Sequence, residues 1–189
     1  TPLISDPGYK LVSDTHDAGF EVYTIPGACA ATAALSISGL PTDTFYFAGF
    51  PPTKLISLEN HLHQLSSYHS TIIFYETSRR LVKTLSAIEK CLNNPHTAIA
   101  RELTKKFEEV QRGTAHDLIS YYTNNPPKGE CVIVIDNRKE ELLDGQLLDN
   151  AIIESLKKMS VKDTVDNLRS LTSLSKSELY SKVIHLKES

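Results

Sequence analysis

Leu55, Leu58, Leu62 and Leu65 recur at intervals of three and four, which puts all four on one face of a helix. Leu81, Leu85, Ile88 and Leu92 repeat the pattern further on, with Ser78 as the expected N-cap. Around these stripes lie short apolar runs of strand type, at Phe45–Phe47, Thr71–Tyr75, Thr97–Ala100 and Cys131–Ile135. They are continuous rather than alternating, so the strands are expected to be buried on both faces. Near the start, Asp6-Pro7-Gly8 reads as a helix entry, with Asp6 at the N-cap and Pro7 at the first helical position. Gly19 stops that helix. Glu21–Ile25 reads as a strand ending at Pro26-Gly27, and a helix of small residues comes next, from Ala28 to Ser38, closed by Gly39 and Pro41. Thr114-x-x-Asp117 has the form of a capping box. Strand and helix signals that alternate in this way predict an α/β fold.

The pattern changes after Asn137. Arg138–Glu141 is a charged link, and the remainder of the chain reads as helix throughout. Ile152, Ile153, Leu156 and Met159 make one apolar stripe, and Ser160-x-x-Asp163 and Ser175-x-x-Glu178 each open a further helix. Val165, Leu168 and Leu171 face inward in the first of these; Leu179, Val183 and Leu186 do so in the second. Residues 139–189 are therefore expected to form a helical appendage.

Composition narrows the chemistry. The chain has 189 residues, with 20 Lys plus Arg against 23 Asp plus Glu, for a net charge of −3. That balance excludes a protein that coats nucleic acid through bulk positive charge, although a local basic patch is compatible with it. No apolar run approaches the ~20 residues of a membrane helix. Three cysteines, Cys29, Cys91 and Cys131, with no C-x-x-C spacing, point to a reducing cytoplasm rather than a disulfide framework. His61 and His63 are two apart and diverge on a helix, so no metal site is expected. None of the 8 glycines forms G-x-G, so the usual nucleotide-binding turn is absent from this chain.

Four stretches carry more specific information, each at the end of an expected strand, where open α/β folds place ligands. They are Thr24–Ala31, Phe74–Arg80, Ala100–Glu109 and Lys128–Glu130. Together with the opening Thr1-Pro2-Leu3-Ile4-Ser5-Asp6-Pro7-Gly8-Tyr9, they resemble the tetrapyrrole methylase superfamily, and within it the branch that methylates ribosomal RNA. The resemblance runs over essentially the whole chain. It implies a fold of two α/β domains with the cofactor, S-adenosylmethionine, in the cleft between them, usually in a homodimer. It also implies methylation of a cytidine ribose 2′-hydroxyl in small-subunit (16S) ribosomal RNA, free or in the assembled subunit, with no metal. Family members carry a glycine-rich loop whose S-D-A-G-T-P stretch ends where this chain begins. Residues 1–26 are then the remainder of the N-terminal domain, and 27–138 the C-terminal α/β domain.

The same resemblance suggests site residues. Pro2, Pro26, Gly27, Cys29, Tyr75, Arg101 and Glu130 become candidates for cofactor contact. Ala28 stands where the family has Pro, while Cys29 fits its pattern. Glu102, Lys105 and Glu76 become catalytic candidates, because a 2′-hydroxyl has a high pKa and needs a proton acceptor or a cation beside it. If the strand continues, Arg101 and Leu103 face one side and Glu102 and Thr104 the other. Glu108 and Glu109 read as surface loop. Arg79, Arg80, Lys106 and Lys128, with Arg101, Lys105 and Arg112, are expected to form a basic rim for RNA, with Tyr75 or Phe107 stacking on a splayed base. Two other readings stand beside this one: a small-molecule methyltransferase of the tetrapyrrole type, and a non-catalytic RNA-binding or interaction module.

Overall fold

The structure, a computed structural model, describes residues 1–138, 143–172 and 174–188. They fall into two compact units, Thr1–Arg138 and Lys139–Ser189.

The first unit is built on a mixed five-stranded sheet: β1 (Phe45–Phe47), β2 (Thr71–Thr77), β3 (His96–Arg101), β4 (Glu109–Thr114) and β5 (Glu130–Asp136). Its spatial order is β1-β2-β5-β3-β4. Only β1 and β2 are parallel; β5 runs antiparallel to both its neighbours, and β4 antiparallel to β3. Successive side chains on β2 and β5 go to opposite faces, and both faces are covered. Ile72, Phe74, Ile133 and Ile135 pack under the helices α3 (Leu55–Leu65), α4 (Leu81–Cys91) and α5 (Ala115–Asn124), which contribute Leu58, Leu62, Leu85, Ile88 and Leu118. Ile73, Val132 and Val134 meet α2 (Ala30–Ser38) through Ala31, Ala34 and Leu35. The alanines let α2 lie close on the sheet. The capping box forms as expected at Thr114 and Asp117, and Gly39 closes α2 in the left-handed conformation.

Several expectations change. The first helix, α1, runs Tyr9–Asp17 and is entered from Gly8 at φ 128°, so Asp6 and Pro7 lie before it rather than at its cap and first turn. Among the described residues Glu21–Ile25 forms no strand and no strand pairs with it. Its Tyr23 and Ile25 are 80% and 84% exposed. The α2 helix begins at Ala30 rather than Ala28, with Cys29 at the N-cap. Arg80, not Ser78, is the N-cap of α4, and no side chain caps it. Glu109 opens the edge strand β4 instead of lying in a surface loop.

The second unit contains α6 (Gly145–Leu156), α7 (Val161–Leu168), a 3-10 turn at Arg169–Leu171 and α8 (Lys176–Glu188). Leu148, Ile152, Val165, Leu168, Leu179 and Val183 form its buried core, with Leu171 and Leu186 against it. Ser160 accepts from the Asp163 N–H, and Ser175 exchanges bonds with Glu178. Ile153 and Met159 are exposed, so the α6 stripe is narrower than its sequence spacing implies. Of the charged link, residues 139–141 lie outside the described residues. Among the described residues no helix is long and apolar enough to cross a membrane.

Candidate functional site

One end of the sheet brings together the C-terminal ends of β2 and β3 and the start of β5, because Thr77 pairs with Glu130 and Arg101 with Cys131. A pocket of about 420 Å³ opens there, lined by Ala30 of α2, Tyr75 and Thr77 of β2, Leu103 and Val132, with Ile4, Asp6 and Phe50 from loops. Its size lies within the ~300–1,000 Å³ usual for small-molecule sites. Tyr75 is held rather than free: its hydroxyl accepts from the Ala31 N–H at 3.1 Å, and its ring sits edge-on to Phe47 and Phe50 at 4.9 and 5.6 Å.

The polar wall is a three-residue cluster. Glu102 Oε1 accepts from the backbone N–H of Glu130 and from Lys105 Nζ, each at 3.0 Å. Lys105 Nζ also donates to Glu130 Oε2 at 3.1 Å. The expected strand alternation stops at Arg101, since Glu102 and Thr104 turn through the left-handed region at φ 50° and 63°. This compact turn is what swings Glu102 back over β5. Gly129 makes room for it: a Cβ there would lie 2.2 Å from Glu102 Oε1, and Gly129 itself is at φ 86°. The Glu130 N–H, and then the Lys105 ammonium, hold the Glu102 carboxyl below the usual carboxylate range. The two carboxylates hold Lys105 above the usual lysine value. Among the residues lining the pocket, Lys105 is the sole cation.

Other candidates fall elsewhere. Glu76 borders the pocket but is spent on the fold: its buried carboxylate accepts from the Thr77 N–H at 2.8 Å and the Thr84 hydroxyl at 2.6 Å, and lies 3.4 Å from Arg80. Arg80 also donates to the Pro51 and Pro52 carbonyls, which ties it to the fold rather than to a rim. Arg101 leaves the pocket, pairing with Glu109 at 2.7 Å and donating to the Lys128 carbonyl. Arg112 lies along β4, away from this end, with its guanidinium on the Gly39 carbonyl. Pro2, Pro26, Gly27 and Cys29 do not line the pocket; Thr1 Oγ1 donates to the Gly27 carbonyl at 2.8 Å, and Cys29 Sγ lies 3.8 Å from the Tyr75 hydroxyl. Burial pushes the Cys29 thiol up, but bonds from Thr32, Tyr75 and Ala31 outweigh it and leave it lowered. Arg79, Lys106 and Lys128 are exposed. Phe50 is a site residue that sequence reasoning misses; Leu103 and Gly129 lie in stretches it singles out, but without a site role. A lone aromatic before Pro51-Pro52 is the one visible signal for Phe50, and Gly129 shows only as a turn residue.

A family model for Tetrapyrrole (Corrin/Porphyrin) Methylases matches residues 1–119. Ribosomal RNA small subunit methyltransferase I of Erythrobacter litoralis is 44% identical over 176 residues, which cover 93% of this chain and 63% of the relative. The proteins of that name from Mesorhizobium japonicum and Rickettsia prowazekii are 37% and 36% identical over 100% of this chain, covering 65% and 68% of their own lengths. The chain thus spans 63% and 65% of the first two relatives. Among solved structures, the methyltransferase CobJ superposes with a TM-score of 0.52 at 18% identity, covering 77% of this chain and 64% of its own. That likeness speaks to fold alone.

Proposed function

Since the chain belongs to the Tetrapyrrole (Corrin/Porphyrin) Methylases, we propose that it is the larger part of an S-adenosylmethionine-dependent enzyme that methylates a cytidine ribose 2′-hydroxyl in small-subunit ribosomal RNA. The observation that carries this reading is the Glu102–Lys105–Glu130 cluster on the wall of the pocket. Its relatives' shared name supplies the RNA substrate. On this reading residues 1–26 complete an N-terminal domain, 27–138 form the second α/β domain and 139–189 a helical appendage.

The pocket residues suit the cofactor. Ala30 leaves space beside the held ring of Tyr75, Phe50, Leu103 and Val132 offer apolar surface, and Asp6, Glu102 and Glu130 supply negative charge for a cation. Bound there, S-adenosylmethionine supplies an electrophilic methyl group. The chain's own part is alignment and charge. A ribose hydroxyl is a weak acid, so the charge growing on its oxygen needs a cation, and Lys105 is that cation. Glu102, already bonded twice and held below the usual range, is a poor base; it orients Lys105. Glu130, with its side chain 85% exposed and only Oε2 engaged, is the better proton acceptor.

The test is methyl transfer by the full-length protein on small subunits lacking the modification. Lys105→Ala should lower kcat about 100-fold or more while RNA binding falls little. Glu102→Gln should lose less, since the amide still accepts from the Glu130 N–H. Because Lys105 sits above its usual value, the kcat profile should show no alkaline limb from it below about pH 10. A Lys105→Ala enzyme with unchanged kcat and raised RNA KM would make Lys105 a phosphate contact instead.

A further inference from the structure

The turn that carries Glu102 and Lys105 into the pocket has a second side. Arg101 and Phe107, at either end of it, line a separate open groove of about 650 Å³ together with Tyr121, Asn125, Pro127 and Lys128. The groove belongs to the same end of the sheet, because Arg101 and Lys128 adjoin the start of β5. Its walls are unusually committed. Tyr121 donates to Glu109 Oε1 at 2.9 Å, accepts from Gln111 Nε2 at 3.1 Å and packs edge-on to Tyr122 at 5.0 Å, so its ring is fixed in place. Glu109 neutralises Arg101. Phe107 is 64% open to solvent, with the Lys106 ammonium over one face of its ring at 5.7 Å, and Lys128 lines the same groove.

Aromatic and proline surfaces beside an exposed lysine suit an unstacked nucleotide, the open ring face taking the base and Lys128 the phosphate. Neighbouring residues of one turn divide between the two cavities: Glu102 and Lys105 line the pocket, Arg101 and Phe107 the groove. A strand laid across the turn therefore meets both. We propose that the groove holds a base of the RNA adjacent to the nucleotide that reacts, stacked against Phe107, with its phosphate on Lys128. This rests on the RNA reading above and adds a second subsite to it.

The test uses the full-length protein and a short single-stranded RNA with one cytidine, alongside versions in which one flanking base at a time is removed to leave an abasic sugar. Binding is read by fluorescence anisotropy. Phe107→Ala should weaken RNA binding by about 5- to 100-fold, the value of one base stack, while Phe107→Trp retains it and S-adenosylmethionine affinity is unchanged. Lys128→Ala should reduce the salt slope of binding by about one. Removing one particular flanking base should weaken the wild type by a similar factor and weaken Phe107→Ala no further. An abasic penalty equal in wild type and Phe107→Ala, or a Phe107→Ala affinity within about two-fold of wild type, overturns the groove while leaving the RNA reading intact. If the wild type binds none of these RNAs, the groove falls, while the methylation reading is decided by its own test on small subunits.

Discussion

Gly129 is the residue on which the Glu102 arrangement depends. Its φ of 86° and the 2.2 Å separation between a Cβ there and Glu102 Oε1 set two separate costs for Gly129→Ala. The conformation alone costs about 1–3 kcal/mol, and the clash is relieved only if the carboxylate moves off the Glu130 N–H. Denaturant unfolding should show Gly129→Ala destabilised by more than the conformational cost, with Glu102→Ala in the same chain recovering the excess and not the rest. Glu109 gives a pH signature. The Gln111 amide, working against burial, and then Arg101 and Tyr121 hold its carboxyl below the usual range. Its folded-state pKa is depressed, so its stabilisation is fully present above the unfolded value of about 4.3 and is lost as the pH falls through the folded one. Glu109→Gln should flatten the loss of stability on acidification in that window, read as denaturation midpoints at successive pH values. The residue types of Glu102, Lys105 and Glu130 were legible because charges are conspicuous at strand ends. Which way Arg101 points was not, since a left-handed Glu102 breaks the alternation and sequence does not announce the sign of φ for a glutamate.

At the scale of elements, Glu76 joins β2 to α4. Its carboxylate binds the Thr84 hydroxyl one turn into the helix and lies against Arg80 at the helix entry. Glu76→Ala leaves the buried Thr84 hydroxyl and a partly exposed guanidinium without their shared partner. A loss of about 2–4 kcal/mol is expected, with Arg80 26% exposed keeping it at the lower end for a broken pair, measured by thermal or urea unfolding. Helices α3 and α4 and strands β2, β3 and β5 could be read from their apolar spacing, because each buries most of the stripe that the spacing defines, Leu55 at the start of α3 being exposed; α5 was legible from its capping box instead. β4 could not, since Glu109–Thr114 is half-exposed, with Arg112 exposed, and pairs on one edge only. Glu21–Ile25 errs in the other direction. It has strand composition but no neighbouring ladder among the described residues, and composition alone does not make a strand.

For the molecule as a whole, two cores divide the stabilisation. The helical unit packs Leu148, Ile152, Val165, Leu168, Leu179 and Val183 on one another, and the sheet unit has clusters of its own on both faces. Removing residues 139–189 should therefore leave Thr1–Arg138 with a cooperative unfolding transition; loss of cooperativity in the truncated protein would show that the helices complete its core. The strand order has a consequence of another kind. β5 is the middle of the sheet in space and its last strand in the chain, so β2 and β3, which do not pair with each other, are joined only through β5 once it lies between them. On a translating ribosome, β3 and β4 can close early as a local hairpin and β1 can pair with β2, but the two halves wait as open edges until Asp136 has emerged. The pocket, whose wall includes Glu130 at the start of that strand, comes into being at the same moment as the sheet.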